Sequence, residues 1–178
     1  MISFRYELEG AGWADAYLSD GTNSATIPAS YLCDALRDLV DAIQSLFTTD
    51  SAECVWQEEP GEVKWIVSRN GDLVQLRVEW WTEVRTHRDH NGWQLNDWQL
   101  VLDKVMFSGE AKFLDFAKQV DQELQRLLDK WGSDGYLREW IEHPFPVESH
   151  QRLRQAIAAR QTSDQTESTG TVPGTAKK

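Results

Sequence analysis

The strongest constraint on this chain is an alternation of apolar and polar residues from Glu62 to Trp81, interrupted once by Asn70-Gly71. Two β-rich runs flanking Asn-Gly predict a hairpin with a type I′ turn, whose two central residues need φ > 0. A two-residue loop there sets Arg69 opposite Asp72, Val67 opposite Val74, Trp65 opposite Leu76 and Val63 opposite Val78. One face then holds Val63, Trp65, Val67, Val74, Leu76, Val78 and Trp80, without a polar member. The other carries Lys64, Ser68, Gln75, Arg77 and Glu79, with Ile66, Leu73 and Trp81 among them. A slip of one residue would turn the apolar set toward water, so the faces are strongly specified.

The remaining chain is organised around such a sheet. Ile2 to Glu9, Trp13 to Ser19 and Ser24 to Ile27 read as strands, the last ending at Pro28. Ser30 is placed to cap a helix carrying Leu32, Ala35, Leu36, Leu39, Val40, Ile43, Leu46 and Phe47 at helical spacing. Ala52 to Gln57 is a fourth strand. A Pro60-Gly61 turn sets Trp56 opposite Trp65 and Cys54 opposite Val67. Beyond Trp81 the chain turns polar from Thr86 to Gly92 and returns as a strand from Trp98 to Phe107. Pairing Arg85 with Trp98 would place Asp103 on the apolar face, so a bulge or a longer loop is expected. Ser108 is placed to cap a second long helix, which Gly132 stops. Short helices follow over 136–142 and 147–160, separated by Pro144 and Pro146. The expected class is α+β: an antiparallel, mainly meander β-sheet with two long helices packed on one face and a C-terminal helical segment. Residues 1–161 form a single domain, and residues 162–178, with almost nothing to bury, a disordered C-terminal tail.

Charge narrows the partners. The chain carries a net charge of −11, and its tail is neutral, so the excess lies on the folded part. Such a surface excludes nucleic acid, which needs a basic patch, and favours a basic protein. No apolar run is long enough to span a membrane, and the N-terminus alternates like a strand rather than a signal peptide. Cys33 and Cys54 both sit in apolar patterns, as free thiols do. These features point to the cytoplasm.

Few residues suggest chemistry. His87, Asp89 and His90 on the polar loop are weak metal candidates, since no scaffold orients them. His143 and His150 flank the two prolines without an evident catalytic partner. Nucleophile elbow, phosphate loop and dinucleotide motif are all missing, and no cofactor is expected. Asp34, Asp38 and Asp41 form an acidic helical stripe, and Glu58, Glu59 and Glu62 crowd one turn. Trp56, Trp65 and Trp80 belong to the core, whereas Trp81 and Trp93 are placed to anchor a partner.

The segments Tyr6 to Asp15, Glu59-Pro60-Gly61 leading to Trp65, and His143-Pro-Phe-Pro146 resemble bacterial proteins of unassigned function. That resemblance implies a bacterial source and no particular activity. More loosely, a small, acidic, tryptophan-bearing α+β chain is similar in style to immunity proteins that neutralise toxins. The expected function is therefore a non-enzymatic acidic protein-binding module. It would use Asp34, Asp38, Asp41, Glu58, Glu59, Glu62, Trp81 and Trp93 against a basic protein. Two alternatives stand beside it: a carrier of a small apolar ligand between sheet and helices, and a metal-dependent enzyme built on the His87–His90 loop.

Overall fold

The computed structural model describes residues 1–85 and 98–169, with side chains described as far as Ser163. Strands β1 (Ser3–Gly10), β2 (Trp13–Ser19) and β3 (Ser24–Ser30) form one antiparallel meander. Strands β4 (Ser51–Glu58), β5 (Gly61–Asn70), β6 (Leu73–Arg85) and β7 (Trp98–Lys112) form a second. Helix α1 (Ala35–Ser45) joins the two sheets, and α2 (Phe113–Trp140) and α3 (Val147–Thr169) follow them. The fold is α+β with antiparallel meanders, as expected, but the sheet is divided in two. Where β3 approaches β4, the outer edge of β4 is met by side chains instead of a strand. The Ser30 hydroxyl donates to the Gln57 carbonyl at 3.0 Å, and the Gln57 N–H donates to the Cys33 sulfur at 3.3 Å.

The alternation of the central hairpin is realised with the expected faces and shifted partners. Val63 pairs with Trp80, Trp65 with Val78, and Val67 with Leu76. The loop is Gly71-Asp72, and only Gly71 has positive φ, at 60°, which matches a turn with glycine first rather than a type I′ turn. In the preceding hairpin the turn is Glu59-Pro60, joined by a cis peptide bond, so Cys54 pairs with Trp65 and Trp56 with Val63. Gly61 lies within β5 instead of the turn. A Cβ there would come within 2.1 Å of the Trp81 carbonyl oxygen, so close backbone approach accounts for the glycine. Both corrections move the register by two residues. Since side chains alternate with period two, the face is preserved: Val63, Trp65, Val67, Val74, Leu76, Val78, Cys54 and Trp56 are all buried.

The expected bulge is present. Arg85 does pair with Trp98, and shifts fall between Val78 and Glu79 and between Trp80 and Trp81. Trp81 pairs with Leu102 but Trp80 with Lys104, so Asp103 is the extra residue; Lys104 takes the place opposite Trp80, and Leu102 lies on the side of Trp81.

Neither predicted serine cap is used. Strand β3 runs on to Ser30, and Asp34 occupies the position before α1. Strand β7 continues through Ser108 to Lys112, pairing with the whole of β6 before α2 begins. Pro28, expected to end its strand, lies within β3 opposite Asp15, on the edge where a missing N–H is tolerated. Gly132, with φ 62° and ψ 174°, breaks the helical geometry inside α2 where a stop was expected. Helix α3 extends to Thr169, so residues 162–169, assigned to the tail from sequence, are helical. The rest of that tail lies outside the described residues.

The core lies between the two sheets and the helices. Helix α2 packs on β1 through Phe116 against Phe4 and Trp140 against Tyr6, with ring centroids 6.5 and 6.2 Å apart. Trp56 and Trp65 pack with ring centroids 4.7 Å apart and planes tilted by 49°, and both are fully buried. No helix among the described residues is long and apolar enough to cross a membrane.

Candidate functional site

The sequence placed two acidic clusters on solvated faces; the structure takes both apart. Asp34 is buried at the start of α1. Its Oδ2 lies 3.1 Å from Arg37 Nη1 and 4.0 Å from His143 Nδ1, while Oδ1 has no hydrogen-bond partner. Burial raises its pKa against the pull of Arg37 and His143. Glu58 is also buried, because it shares the inward parity of Cys54 and Trp56 on β4. Burial raises its pKa too, opposed only by hydrogen bonding from Ser30. The Tyr6 and Tyr136 hydroxyls are buried without partners, and both phenols are raised by burial, with the Asp34 carboxyl adding to it. These four residues form an internal polar cluster behind the first turn of α1. They are not available to a partner.

Glu62 and Glu59 separate from Glu58. Glu62 sits across from Trp81 and pairs with Lys64 at 3.2 Å; Glu59 is exposed at the turn. Trp81 is half-buried rather than free. Lys64 lies 4.2 Å over its ring, and its Nε1 donates to Glu79 at 2.9 Å. Burial pushes the Glu79 carboxyl up, but hydrogen bonds from Arg77 and Trp81 outweigh that and hold it below the usual range. Trp93, His87, Asp89 and His90 lie outside the described residues. Among the described residues no group of three or more His, Cys, Asp or Glu is placed to hold a metal ion.

Asp38 and Asp41 are brought together with a residue that sequence reasoning missed. With Glu53 of β4 they line an open groove of about 520 Å³ between α1 and β4, completed by Ala42, Ser45 and Val55. Asp38 is half-exposed, and its pKa is raised by burial and then by the Asp34 carboxyl. Asp41 is paired with Arg152 of α3 at 3.0 Å. The β4 edge forms the floor. The Gln57 N–H points outward to Cys33, while the Asp50 carbonyl points inward to the Arg69 N–H. Backbone polarity alternates along a strand, so Glu53 and Val55 also present their N–H and C=O groups to the outer side. The alternation of β4 was the available signal: Glu53 must point away from the core if Cys54 and Trp56 point into it.

The other candidates are structural in character. His150 is buried, 2.8 Å from Asp121 and 3.1 Å from Arg154, and its ring meets Phe145 edge-on. Burial raises the Cys33 thiol to about 11 and pushes Cys54 further up, which removes both from nucleophilic chemistry near neutral pH. Trp56, Trp65, Trp140, Tyr6 and Phe116 fill the space between sheets and helices with fully buried side chains.

No protein-family model, curated protein or solved structure matches this chain.

Proposed function

We propose that this protein is a binding module for a basic protein segment, docked in extended form along the outer edge of β4. The supporting observation is the groove itself, which combines an accessible strand edge with Asp38, Asp41 and Glu53 and has no Lys or Arg in its lining. A strand added to a sheet edge gains affinity from main-chain hydrogen bonds and specificity from alternate side chains. Lysines or arginines at those alternate positions would face the α1 carboxylates. The Arg152 partner of Asp41 is half-exposed, so it can turn to water when a competing cation arrives. The net charge of −11 accelerates the approach of such a partner from a distance. An immunity-like role in the cytoplasm is the most specific version of this reading.

The test is kinetic. A basic partner isolated from the native host should bind with an association rate that falls as salt rises, since the Debye length shrinks to about 3 Å at 1 M. Asp38→Lys combined with Glu53→Lys should slow association at least about tenfold at low salt, because mutating steering charges acts on the on-rate. An on-rate indifferent to both changes, or the absence of any protein partner, would overturn the reading.

A further inference from the structure

The sheet edges are protected unequally. At the β1 edge, the Tyr6 N–H donates to Glu123 Oε1 at 2.7 Å and the Tyr6 carbonyl accepts from Arg126 Nη2 at 2.8 Å. An acid and a base three residues apart on α2 thus occupy the place of a neighbouring strand. The β3 edge carries Pro28. The β4 edge is sealed at Gln57 and charged at Glu53. Strand β7 is the other edge of the four-stranded sheet, and its segment Trp98 to Leu102 carries none of these devices.

That segment reads Trp-Gln-Leu-Val-Leu, without a charge, a proline or a glycine. Trp98, Leu100, Leu102 and Val105 are between 37% and 49% exposed. Their partners on β6 are Arg85, Glu83, Trp81 and Glu79, which alternate, so all four project from the same side of the ribbon. The extra residue Asp103 is what brings Val105 onto that side. The result is an apolar strip along a strand edge that no other described strand covers, the pattern that templates strand addition unless it is blocked.

We infer that β7 pairs with β7 of a second copy of this chain, antiparallel and centred on Leu100. A two-fold axis at Leu100 sets Trp98 against Leu102 of the second copy, Gln99 against Val101, and Leu100 against itself. An antiparallel self-pairing is isologous, so one apolar edge supplies both halves of the contact. Charge favours a second copy here although the chain as a whole repels itself. Among the described residues, Glu79, Glu83 and Asp103 beside the strip are balanced by Arg77, Arg85 and Lys104, so this is a locally neutral window in an acidic surface. A basic partner would meet as many cations as carboxylates at this edge, which separates it from the β4 groove. Five residues make a small contact, so the dimer is reversible and concentration-dependent.

Sedimentation of the full chain over roughly a hundredfold range of concentration should show a monomer–dimer equilibrium. Leu100→Lys places two like charges directly opposite one another and should weaken that equilibrium at least about tenfold, with the melting temperature unchanged because the residue is exposed. Directly opposed residues bring their Cα atoms within disulfide range, so Leu100→Cys under mild oxidation should give a covalent dimer. Gln99→Cys, on the opposite side and off the axis, should not. A wild-type chain that stays monomeric throughout, a dimer indifferent to Leu100→Lys, or equal cross-linking of the two cysteine variants would overturn the inference. None of these variants touches the α1–β4 groove, so failure here leaves the binding proposal standing, and the reverse.

Discussion

Glu58 illustrates how a single residue can belong to the wrong cluster when it is read by neighbours in sequence. It adjoins Glu59 and lies near Glu62, yet its parity is that of Cys54 and Trp56. It is consequently buried, with Oε1 lacking a hydrogen-bond partner, and burial raises its pKa. A carboxyl raised in the folded state contributes stability that is complete below its unfolded pKa of about 4.3 and is lost as pH rises through the folded value. Glu58→Gln removes that loss. The variant should melt above the wild type at pH 7, and the gap should close as the pH is lowered toward 4. Asp34 is raised in the same direction but is present in both proteins, so it cancels in the difference. Melting curves across this range decide the matter. A variant that melts lower at pH 7, by an amount that shrinks as the pH falls toward 4, would mean that the charged carboxylate is held by a favourable contact.

Elements were legible where alternation or helical spacing specified a face, and obscured where two elements competed for one stretch. Both hairpins kept the faces expected from sequence while their partners moved by two residues, because turn residues fix partners and alternation fixes faces. Asn70-Gly71 and Pro60-Gly61 looked like turns by composition. In the fold Gly71 opens one turn, and Gly61 instead serves a close backbone approach. Ser30 and Ser108 have the chemistry of caps, but unpaired neighbouring strands extended through them. For the candidate site, Asp38 and Asp41 were visible as a stripe, whereas Glu53 needed the β4 edge to be known. Least visible was the pairing of α2 with β1, since Glu123 and Arg126 read as an ordinary polar helix face. Arg126 also contacts Glu7 at 3.3 Å, which ties this device to both sides of β1. Glu123→Leu leaves the Tyr6 N–H without its acceptor and Arg126 without its main counterion. A hydrogen bond to a charged group is worth about 1.5–3 kcal/mol, and Arg126 retains some access to water, so a loss of about 2 kcal/mol is expected. A urea midpoint equivalent to less than about 0.5 kcal/mol of change would show that packing alone holds α2 to β1.

At the scale of the whole molecule, charge sets two opposing terms. The 18 basic residues are outnumbered by 29 acidic ones, so 11 carboxylates have no cation to match them however the pairs are arranged. Several cations are committed to local pairs: Arg152 to Asp41, Arg154 to Asp121, Lys130 to Glu7 and Arg160 to Asp72. Exposed pairs of this kind contribute about 0–1 kcal/mol each, and salt weakens them. The unmatched carboxylates repel one another over the whole folded surface, and salt relieves that repulsion. Raising ionic strength from about 0.01 to 0.15 M shortens the Debye length from about 30 to 8 Å. Long-range repulsion is screened over that interval far more than contacts near 3 Å are. The melting temperature should therefore rise with salt across this range. The measurement belongs on the Leu100→Lys variant at low concentration, so that self-association through β7 does not enter. A melting temperature that falls with salt would mean that the ion pairs outweigh the net charge. The acidic surface would then be a stabilised arrangement rather than a stability cost retained for steering a basic partner to the α1–β4 groove.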